Sequence, residues 1–292
     1  MNIIETKDLC YSYGEGKLAL DHVNIAVPQG TITAFLGGNG AGKSTLFLNL
    51  NGVLTPDSGQ VLFDGQPVSY TKKGLAQMRR RVGIVFQDPN DQLFSASVLK
   101  DVSFGAVNLG LPEEEVRRRV EQAVAQTGIG EYLNSPTHAL SFGQKKRVAI
   151  AGVLVMNPDV IILDEPTAGL DPAGVSEILR LILQIKEQRG ISVILATHEI
   201  DLVPLYCDYV YLLDHGKVCL SGTPEEVFSQ KDVVREHALR LPRIAHLMEI
   251  LKEKDGLAVD ETASTIAAAR KTLLEAAEIT TSKEENADHP SH

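Results

Sequence analysis

The sequence predicts an α/β fold, and two observations carry this prediction. Residues 31–36 form a short apolar run that is rich in β-forming residues. The run ends in a glycine-rich loop, and a helical pattern follows at residues 43–54. Two more apolar runs, at residues 160–163 and 192–196, have the length and composition of buried strands. A strand, a glycine loop and a helix in succession are the beginning of an α/β unit.

Other segments surround this unit. Further strands are predicted at residues 3–13, 21–27, 61–64, 82–86, 209–213 and 217–221, the last two joined as a hairpin at His215 and Gly216. Residues 88–138 have helical periodicity, with Glu113 beginning a helix after Pro112, and form an insertion between the α/β halves. Residues 223–279 are amphipathic and helical, whereas residues 280–292 are polar and predicted to be disordered.

Composition excludes several classes of function. The chain has 292 residues, of which 43% are apolar, so a wholly disordered protein is excluded. Its net charge of −10 argues against nucleic acid as a partner, because a phosphate backbone attracts a basic face. We expect no membrane-spanning helix, because no window of about 18 uninterrupted apolar residues occurs. The amino terminus does not resemble a secretory signal, and the cysteines Cys10, Cys207 and Cys219 suggest free thiols rather than a metal site.

The glycine loop is the first chemical motif. Residues 37–44 fit the pattern G-x-x-x-x-G-K-[ST]. Glycines let successive N–H groups point into one concavity that holds phosphate oxygens, and the helix that follows adds its positive end. Lys43 supplies a charge for the β- and γ-phosphates, and Ser44 offers a hydroxyl to Mg²⁺. The motif therefore predicts a nucleoside triphosphate site.

An acidic pair is the second motif. The buried strand at residues 160–163 is followed by Asp164 and Glu165. Such a strand delivers its last carboxylates to the edge of the sheet where ligands bind. Asp164 is placed to complete the Mg²⁺ shell, directly or through water. Glu165 is placed to orient and deprotonate a water molecule in line with the γ-phosphate.

The order of the motifs resembles that of the ATP-binding-cassette (ABC) ATPases. The loop of Lys43, the segment Leu140-Ser141-Phe142-Gly143-Gln144, the pair Asp164-Glu165, the segment Ala168-Gly169-Leu170-Asp171 and His198 occur in the family's order. The resemblance covers residues 3–228. It implies a P-loop NTPase core with an antiparallel β subdomain, a helical subdomain at about 88–157 and a mainly helical extension at 229–292.

The resemblance also implies roles for single residues. Gln87 resembles the glutamine that contacts Mg²⁺ or the attacking water, and His198 resembles the histidine that reaches the γ-phosphate. Tyr13 resembles the aromatic residue that stacks on adenine, with Tyr11 as the competing candidate on the same strand face. The implied Mg²⁺ ligands are Ser44, Gln87 and Asp164, and the implied catalytic residues are Glu165, His198 and Gln87. The implied ATP-binding residues are Tyr13, Gly37, Gly38, Asn39, Gly40, Ala41, Gly42, Lys43, Ser44, Thr45, Ser141, Gly143, Gln144 and Asp171.

The segment at residues 140–144 departs from the commoner Leu-Ser-Gly-Gly-Gln by Phe142, which we expect to point away from the nucleotide. In the family this segment contacts ATP bound to a second subunit. The resemblance therefore implies a head-to-tail pair of ATPase subunits, either a homodimer or a homologous heterodimer. Residues 145–147 are consecutive basic residues that either assist phosphate binding or form a solvated basic face of a helix.

Two local sequences indicate which process ATP hydrolysis drives. Residues 87–94 resemble the energy-coupling-factor (ECF) importer ATPases, and residues 141–152 are most similar to the cobalt and nickel members of that group. This implies an integral membrane scaffold and a substrate-binding membrane subunit as partners, and a peripheral position on the cytoplasmic face of the cell membrane. Vitamins are the alternative substrate. A soluble ATPase of DNA repair or translation, and a scaffold without turnover, are the other hypotheses.

The carboxy-terminal region lies outside these motifs. Apolar residues recur there at helical spacing, at Leu239, Leu241, Ile244, Leu247, Met248 and Leu251. Extensions of this kind hold two ATPase subunits together in related importers. A helix that covers the chain's own core is the alternative.

Overall fold

The computed structural model describes the backbone of residues 1–14 and 16–287 and the side chains of residues 1–14 and 16–277. The strands are β1 (Asn2–Ser12), β2 (Leu18–Pro28), β3 (Ile32–Leu36), β4 (Ser58–Phe63), β5 (Gln66–Pro67), β6 (Val82–Val85), β7 (Val160–Asp164), β8 (Ser192–Ala196), β9 (Tyr209–Asp214) and β10 (Lys217–Gly222). The helices are α1 (Lys43–Leu50), α2 (Lys72–Arg81), α3 (Val98–Asn108), α4 (Glu113–Thr127), α5 (Phe142–Leu154), α6 (Pro172–Arg189), α7 (Val203–Tyr206), α8 (Pro224–Ser229), α9 (Lys231–Glu236), α10 (Arg243–Glu253) and α11 (Ile266–Ala287).

A four-stranded sheet has the strand order β2-β1-β4-β5, and each of its neighbouring pairs is antiparallel. Strand β1 is its second strand, with Ile4 opposite Val27 on one side and Phe63 on the other. All three side chains are buried. The pairing of β1 with β2 has register shifts between Asn2 and Ile4 and at three points from Thr6 to Ser12. Strand β1 ends at Ser12, so Tyr13 immediately follows the strand.

The six-stranded sheet has the strand order β10-β9-β3-β8-β7-β6. Strands β3, β8, β7 and β6 run parallel to one another. Every residue of β3 and β8 is buried. Central parallel strands with both faces covered carry continuous apolar runs, which is why the sequence of these two segments lacks alternation.

Four chemically important positions follow the carboxyl ends of these parallel strands. Gly37 follows β3, Gln87 lies just beyond β6, Glu165 follows β7, and His198 lies just beyond β8. Because parallel strands share one direction, these ends meet at the same edge of the sheet. The predicted α/β fold is confirmed, together with the β9–β10 hairpin.

The predicted helical insertion is also confirmed. It contains α3, α4 and α5, which pack against one another. Helix α4 begins at Glu113 immediately after Pro112, and acidic side chains in its first turn face the positive helix end. Val102 on α3, Ala123 on α4 and Val148 on α5 are fully buried. These side chains form the core of the insertion.

Among the described residues, 1–14, 16–198 and 211–219 form one compact unit, and 199–210 and 220–287 form a second. The second unit has an apolar cluster of its own. The cluster contains Met248, Val259, Ala263, Ala269 and Ala276, with Ile244, Leu251 and Leu273 packed against it. Helices α10 and α11 contribute most of these side chains. The helices predicted from apolar spacing are confirmed for Ile244, Leu247, Met248 and Leu251, which lie in α10, whereas Leu239 and Leu241 precede that helix in a non-helical segment.

An ion-pair network accompanies this cluster. The Lys231 ammonium lies 2.6 Å from a Glu261 carboxylate oxygen and 3.2 Å from one of Glu253. The Arg235 guanidinium lies 2.6 Å from the carboxylate of Glu249, whose side chain is only 8% exposed. Lys252 adds a second cation to Glu261 at 2.7 Å. The network joins α9, α10 and the segment before α11.

Helix α11 continues to Ala287, so residues 280–287 are helical where disorder was predicted from their polarity. The segment contains Lys, Glu and Ala, which have good helix propensity, and it prolongs a helix that is already formed. The rest of the predicted disordered tail, residues 288–292, lies outside the described residues. Across residues 1–14 and 16–287, no helix is both long enough and apolar enough to span a membrane.

Candidate nucleotide site

Two glycines allow the loop between β3 and α1 to take its shape. Gly37 has φ of 146°, and a Cβ atom there would lie 2.2 Å from the carbonyl oxygen of Leu213. Gly42 precedes α1 with φ of 104°, and a Cβ atom there would lie 2.7 Å from the carbonyl oxygen of Ala19. Other residues are strained at such φ values and would collide with the backbone. The loop therefore approaches its neighbours closely and leads directly into a helix amino terminus.

The side chain of Lys43 lies within this loop. Its Nζ donates hydrogen bonds to the carbonyl oxygens of Gly37, at 2.7 Å, and Gly38, at 3.2 Å. Burial lowers the pKa of Lys43, and the nearby carboxylates of Glu165 and Asp164 oppose that shift. The ammonium is thus held where the loop amides and the start of α1 also concentrate positive potential.

Ser44 and Asp164 meet directly. Ser44 Oγ donates a hydrogen bond of 2.8 Å to Asp164 Oδ2. Ser44 is the second residue of α1, and Asp164 is the last residue of β7. A hydroxyl and a carboxylate are hard oxygen donors of the kind that Mg²⁺ prefers. The residues present therefore fit a magnesium ion at this point.

Glu165 and His198 form the second polar pair. Glu165 Oε1 lies 2.5 Å from His198 Nε2. The Glu165 side chain is 12% exposed, while that of His198 is 45% exposed. Glu165 has φ of 49°, a left-handed conformation that is uncommon for a residue other than glycine. Its N–H donates to the carbonyl of Ala196 at 3.1 Å, which ties the residue to the end of β8.

These groups surround a cavity of about 320 Å³. Its lining residues are Tyr13, Ala19, Gly38, Asn39, Gly40, Ala41, Gly42, Lys43, Ser44, Thr45, Gln87, Asp164 and Glu165. The structure thus brings together most of the predicted ATP-binding residues, the predicted Mg²⁺ ligands and the predicted base. His198 joins the site through its contact with Glu165.

Tyr13 stands at one side of this cavity. Its ring is 66% exposed, and its hydroxyl is 3.1 Å from Thr45 Oγ1. Tyr11 contacts it edge to face with ring centroids 5.0 Å apart, as expected for residues on the same strand face. Of the two candidates for adenine stacking, Tyr13 lines the cavity and Tyr11 does not.

A second group of predicted residues lies outside this cavity. Ser141 Oγ accepts a hydrogen bond from the Gln144 N–H, and Gln144 Oε1 accepts one from the Ser141 N–H, which forms a capping box for α5. Asp171 caps α6 by accepting a bond of 2.7 Å from the Gly174 N–H. Ser141, Gly143, Gln144 and Asp171 are absent from the lining of the nucleotide cavity. Each marks or adjoins a helix amino terminus.

Phe142 packs against the segment that precedes α6. A Cβ atom placed on Gly169 would lie 3.0 Å from the Phe142 ring, so glycine leaves room for it. The ring also lines a neighbouring cavity with Gln87 and Asp164. Phe142 is thus in contact with its own chain, and its direction relative to a nucleotide stays a prediction.

The basic residues 145–147 do not form the basic face that their clustering suggests. Lys145 Nζ donates to Asn90 at 2.8 Å, and the Arg147 guanidinium bonds Glu177 at 2.7 Å. Lys146 is 2% exposed and donates to the carbonyl oxygens of Gln87 and Glu165. Consecutive residues on a helix point about 100° apart, so they face three different neighbours.

Ala19 lies near the site and was not predicted for it, and Lys146 was considered only as one of three consecutive basic residues. Ala19 lines the nucleotide cavity, and only the close approach of β2 to the glycine loop places it there. Lys146, on α5, contacts the backbone of the acidic pair at Glu165, and burial lowers the pKa of Lys146 to about 8.

Comparison with known proteins identifies the family. Residues 20–168 match the family described as ABC transporter. The chain is 59% identical over 271 residues to the energy-coupling factor transporter ATP-binding protein EcfA2 of Clostridium perfringens (strain SM101), an alignment that covers 93% of this chain and 95% of the relative.

Solved structures agree with this match. The structure of cbiO1 from Clostridium perfringens, described as part of the ABC transporter complex cbiONQ, has a TM-score of 0.74 at 59% identity and covers 85% of this chain and 99% of that chain. A dimeric ATP-binding cassette in a post-hydrolysis state, bound to ADP and Pi, has a TM-score of 0.68 at 27% identity, covering 76% and 98%. The chain therefore belongs to the ABC transporter family, as an ATP-hydrolysing subunit of the energy-coupling-factor type.

Proposed function

We propose that this chain hydrolyses ATP in its glycine-loop cavity and thereby drives an importer, with cobalt or nickel ions as the transported substrate. The observation that carries the catalytic part is the meeting of Lys43, Asp164 and Glu165 in one cavity, with His198 bonded to Glu165. The cavity contains a residue suited to phosphate binding (Lys43), one suited to metal binding (Asp164) and one suited to proton transfer (Glu165).

ATP binding follows from the lining of the cavity. The loop amides and Lys43 hold the β- and γ-phosphates, and the exposed ring of Tyr13 offers a face for the adenine. Mg²⁺ would be held by Ser44 and Asp164, which already lie in contact, and by Gln87. When bound, the ion neutralises phosphate charge.

Hydrolysis itself needs a base and a positioned γ-phosphate. Glu165 accepts a proton from a water molecule whose oxygen forms the new bond to the γ-phosphorus. The bond from that phosphorus to the bridging oxygen of ADP breaks, and the products are ADP and phosphate. His198 holds the carboxylate through their contact and donates a hydrogen bond to a γ-phosphate oxygen.

A second subunit completes the site. The amino terminus of α5, with Ser141 and Gly143, does not line the chain's own nucleotide cavity, and a helix amino terminus attracts phosphate. We infer that it faces ATP bound to the partner subunit, with Asp171 near the same interface. The dimeric ADP-bound cassette that this chain resembles supports such a pair.

The insertion offers a surface for the membrane partner. A cavity of about 580 Å³ lies among α2, α3 and α5, with an apolar floor that includes Ile84, Val153 and Met156. At its edge Phe94 is 68% exposed and Phe104 is 46% exposed, and their rings meet edge to face. We propose that a helix of the integral scaffold subunit inserts its apolar side here, in the manner of a helix in a groove.

The substrate and location follow from the proposed partners. The resemblance of residues 141–152 to cobalt and nickel members, and the similarity to cbiO1 of the cbiONQ complex, support a cobalt or nickel importer. Other relatives are named EcfA and their names specify no metal, so vitamins are the alternative substrate in the transport test. Attachment to an integral subunit places the chain at the cytoplasmic face of the cell membrane.

The proposed domains are an ATPase domain at residues 1–228 and a carboxy-terminal extension at 229–292. Within the extension, Leu247, Ile266 and Leu274 are 46%, 74% and 49% exposed. We propose that these exposed apolar side chains pack against the second ATPase subunit. Packing on the chain's own core is the alternative, and a truncated chain that dimerises normally would favour it.

Transport distinguishes the two substrates. The chain is expressed with an integral scaffold subunit and a substrate-binding membrane subunit, and uptake of radiolabelled Co²⁺, Ni²⁺ and vitamins is measured in vesicles loaded with ATP. We expect metal uptake that the substitution Glu165→Gln abolishes. Vitamin uptake without metal uptake would contradict the cobalt and nickel assignment but leave the ATPase assignment intact.

Docking has a test of its own. Phe94→Asp combined with Phe104→Asp should release the chain from its membrane partner, while ATP hydrolysis by the isolated chain stays near wild type. Val107→Asp is the matched control, because Val107 is 56% exposed on the same helix but lies outside the cavity lining. Equal retention of both variants and the wild-type chain on membranes would exclude this surface.

A further inference from the structure

Lys146 makes contacts beside the nucleotide cavity that the proposed mechanism of hydrolysis does not use. It lies in the second turn of α5, after the capping box of Ser141, and its side chain is almost completely buried. Burial of an ammonium is costly unless its donors are bonded. The buried ammonium of Lys146 is therefore expected to have hydrogen-bond acceptors, and their positions indicate its role.

Lys146 Nζ donates to two backbone carbonyls. One belongs to Glu165, at 3.0 Å, and the other to Gln87, at 3.2 Å. Gln87 follows β6 and Glu165 follows β7, and these strands are parallel neighbours in the sheet. One ammonium thus connects the two loops that leave adjacent strands at the nucleotide edge.

The bond to Glu165 acts at a strained position. Glu165 is left-handed, with φ of 49°, and such a conformation persists only where surrounding contacts hold it. Its carbonyl accepts from Lys146 Nζ and also from the Ala168 N–H at 3.1 Å. The direction of that carbonyl and the direction of the side chain are linked through the same backbone. Holding the carbonyl therefore holds the carboxylate toward His198.

The surroundings of the ammonium are adapted to its charge. The Phe142 ring centroid lies 5.2 Å from Nζ, within the range of a cation–π contact. Asp88, Glu165 and Asp164 raise the pKa of Lys146, although burial has the larger effect and lowers it. The charge is accommodated by aromatic, carbonyl and more distant carboxylate groups.

We propose that Lys146 is a positioning residue for ATP hydrolysis, which sets the catalytic loops of Gln87 and Glu165 relative to each other by bonding both carbonyls. The inference rests on the proposed role of Glu165 as the base. Lys146 does not line the nucleotide cavity, so it acts on turnover and leaves ATP binding largely unchanged. It also connects the helix that begins at Ser141 to the chain's own base.

The test compares Lys146→Met, Lys146→Gln and Lys146→Arg in the full-length chain. Lys146→Met keeps the length and removes both hydrogen bonds, and we expect kcat to fall about 10- to 100-fold, because misplacement of a reacting group by about 1 Å costs that much. KM for ATP should stay within about twofold of wild type, since the cavity lining is intact. Lys146→Gln and Lys146→Arg keep a donor and should restore part of kcat.

Matched controls distinguish this effect from unfolding and from an incorrect assignment of Glu165 as the base. Lys145→Met removes the neighbouring ammonium, which bonds the exposed Asn90, and should leave kcat near wild type. Binding of a fluorescent ATP analogue and the melting temperature report whether each variant folds. If Lys146→Met does not fold, kcat of Lys146→Gln is compared with that of wild type instead, and an unchanged value would overturn the inference.

Unchanged kcat in folded Lys146→Met, with Glu165→Gln inactive, would overturn the inference alone. Equal loss of kcat in Lys146→Met and Lys145→Met would also overturn it. Full activity of Glu165→Gln would overturn the proposed base and the positioning role that depends on it.

Discussion

Glu165 Oε1 and His198 Nε2 lie 2.5 Å apart, across the carboxyl ends of two neighbouring parallel strands. Asp164 pairs with Ala196 in the register of β7 and β8, so the residues just beyond them are brought together by the sheet. The left-handed backbone of Glu165 turns its side chain toward the histidine. The candidate base and its partner are therefore placed by strand register rather than by closeness in sequence.

The first prediction concerns this pair. His198→Ala should lower kcat about 10²-fold, the usual effect of removing one donor to developing charge, with a smaller effect on KM. In a double-mutant cycle, Glu165→Gln with His198→Ala should be hardly slower than Glu165→Gln alone, because the two groups act as a unit. Strictly multiplicative losses of kcat would show that they act independently.

The second prediction concerns adenine stacking. Tyr13→Ala should weaken ATP binding by roughly tenfold, since stacking on an aromatic ring contributes about 1–3 kcal/mol. Tyr13→Phe keeps the ring and loses only the contact with Thr45, so it should bind nearly as tightly. Tyr11→Ala is the matched control. Isothermal titration gives the three dissociation constants, and a larger loss in Tyr11→Ala would reverse the assignment.

The third prediction concerns the magnesium site. Ser44→Ala removes the hydroxyl that contacts Asp164, and the Mg²⁺ concentration for half-maximal hydrolysis should rise about 10- to 100-fold. Ser44→Thr keeps the hydroxyl and should behave like wild type. Titration of Mg²⁺ binding in the presence of a non-hydrolysable ATP analogue gives a readout that does not depend on turnover. Equal affinity in all three proteins would remove Ser44 from the ligand set.

The fourth prediction concerns acid stability of the carboxy-terminal unit. Hydrogen bonds from Lys231 and Lys252 lower the pKa of Glu261 from 4.5 to about 2. A lowered pKa in the folded state stabilises the fold above pH 4.5, and this contribution is lost as the pH falls from 4.5 toward 2. Urea unfolding of wild type and Glu261→Gln should therefore differ at pH 7 and converge near pH 2.

Glu275→Gln is the control for that comparison, because Glu275 is exposed on α11. Its difference from wild type should be small at every pH. A gap between wild type and Glu261→Gln that widens on acidification would contradict the assigned ion pairs.

The position of the glycine loop beside Asp164 and Glu165 could be predicted from the sequence, because local patterns determine it. The loop around Lys43 needs glycines at defined positions, and a buried strand that ends in Asp164 and Glu165 must present them at the sheet edge. Both facts are properties of short segments. The parallel pairing that brings these segments together follows from the alternation of strands and helices.

Lys146 could not be placed in the same way. Its burial depends on how α5 packs against loops that precede it by about 60 residues and follow it by about 20, as its bonds to Gln87 and Glu165 show. The helix at residues 280–287 was missed for the opposite reason: these residues have no apolar anchor, but they extend a helix whose earlier turns are packed.

Steady-state hydrolysis by Glu165→Gln, measured together with ATP binding, tests the central claim most directly. Removal of a general base costs about 10²- to 10⁴-fold in rate, while the loop of Lys43 and the ring of Tyr13 remain to bind ATP. We therefore predict that the variant binds ATP at least as tightly as wild type and hydrolyses it at least 100-fold more slowly. Equal hydrolysis by the two proteins would contradict the account.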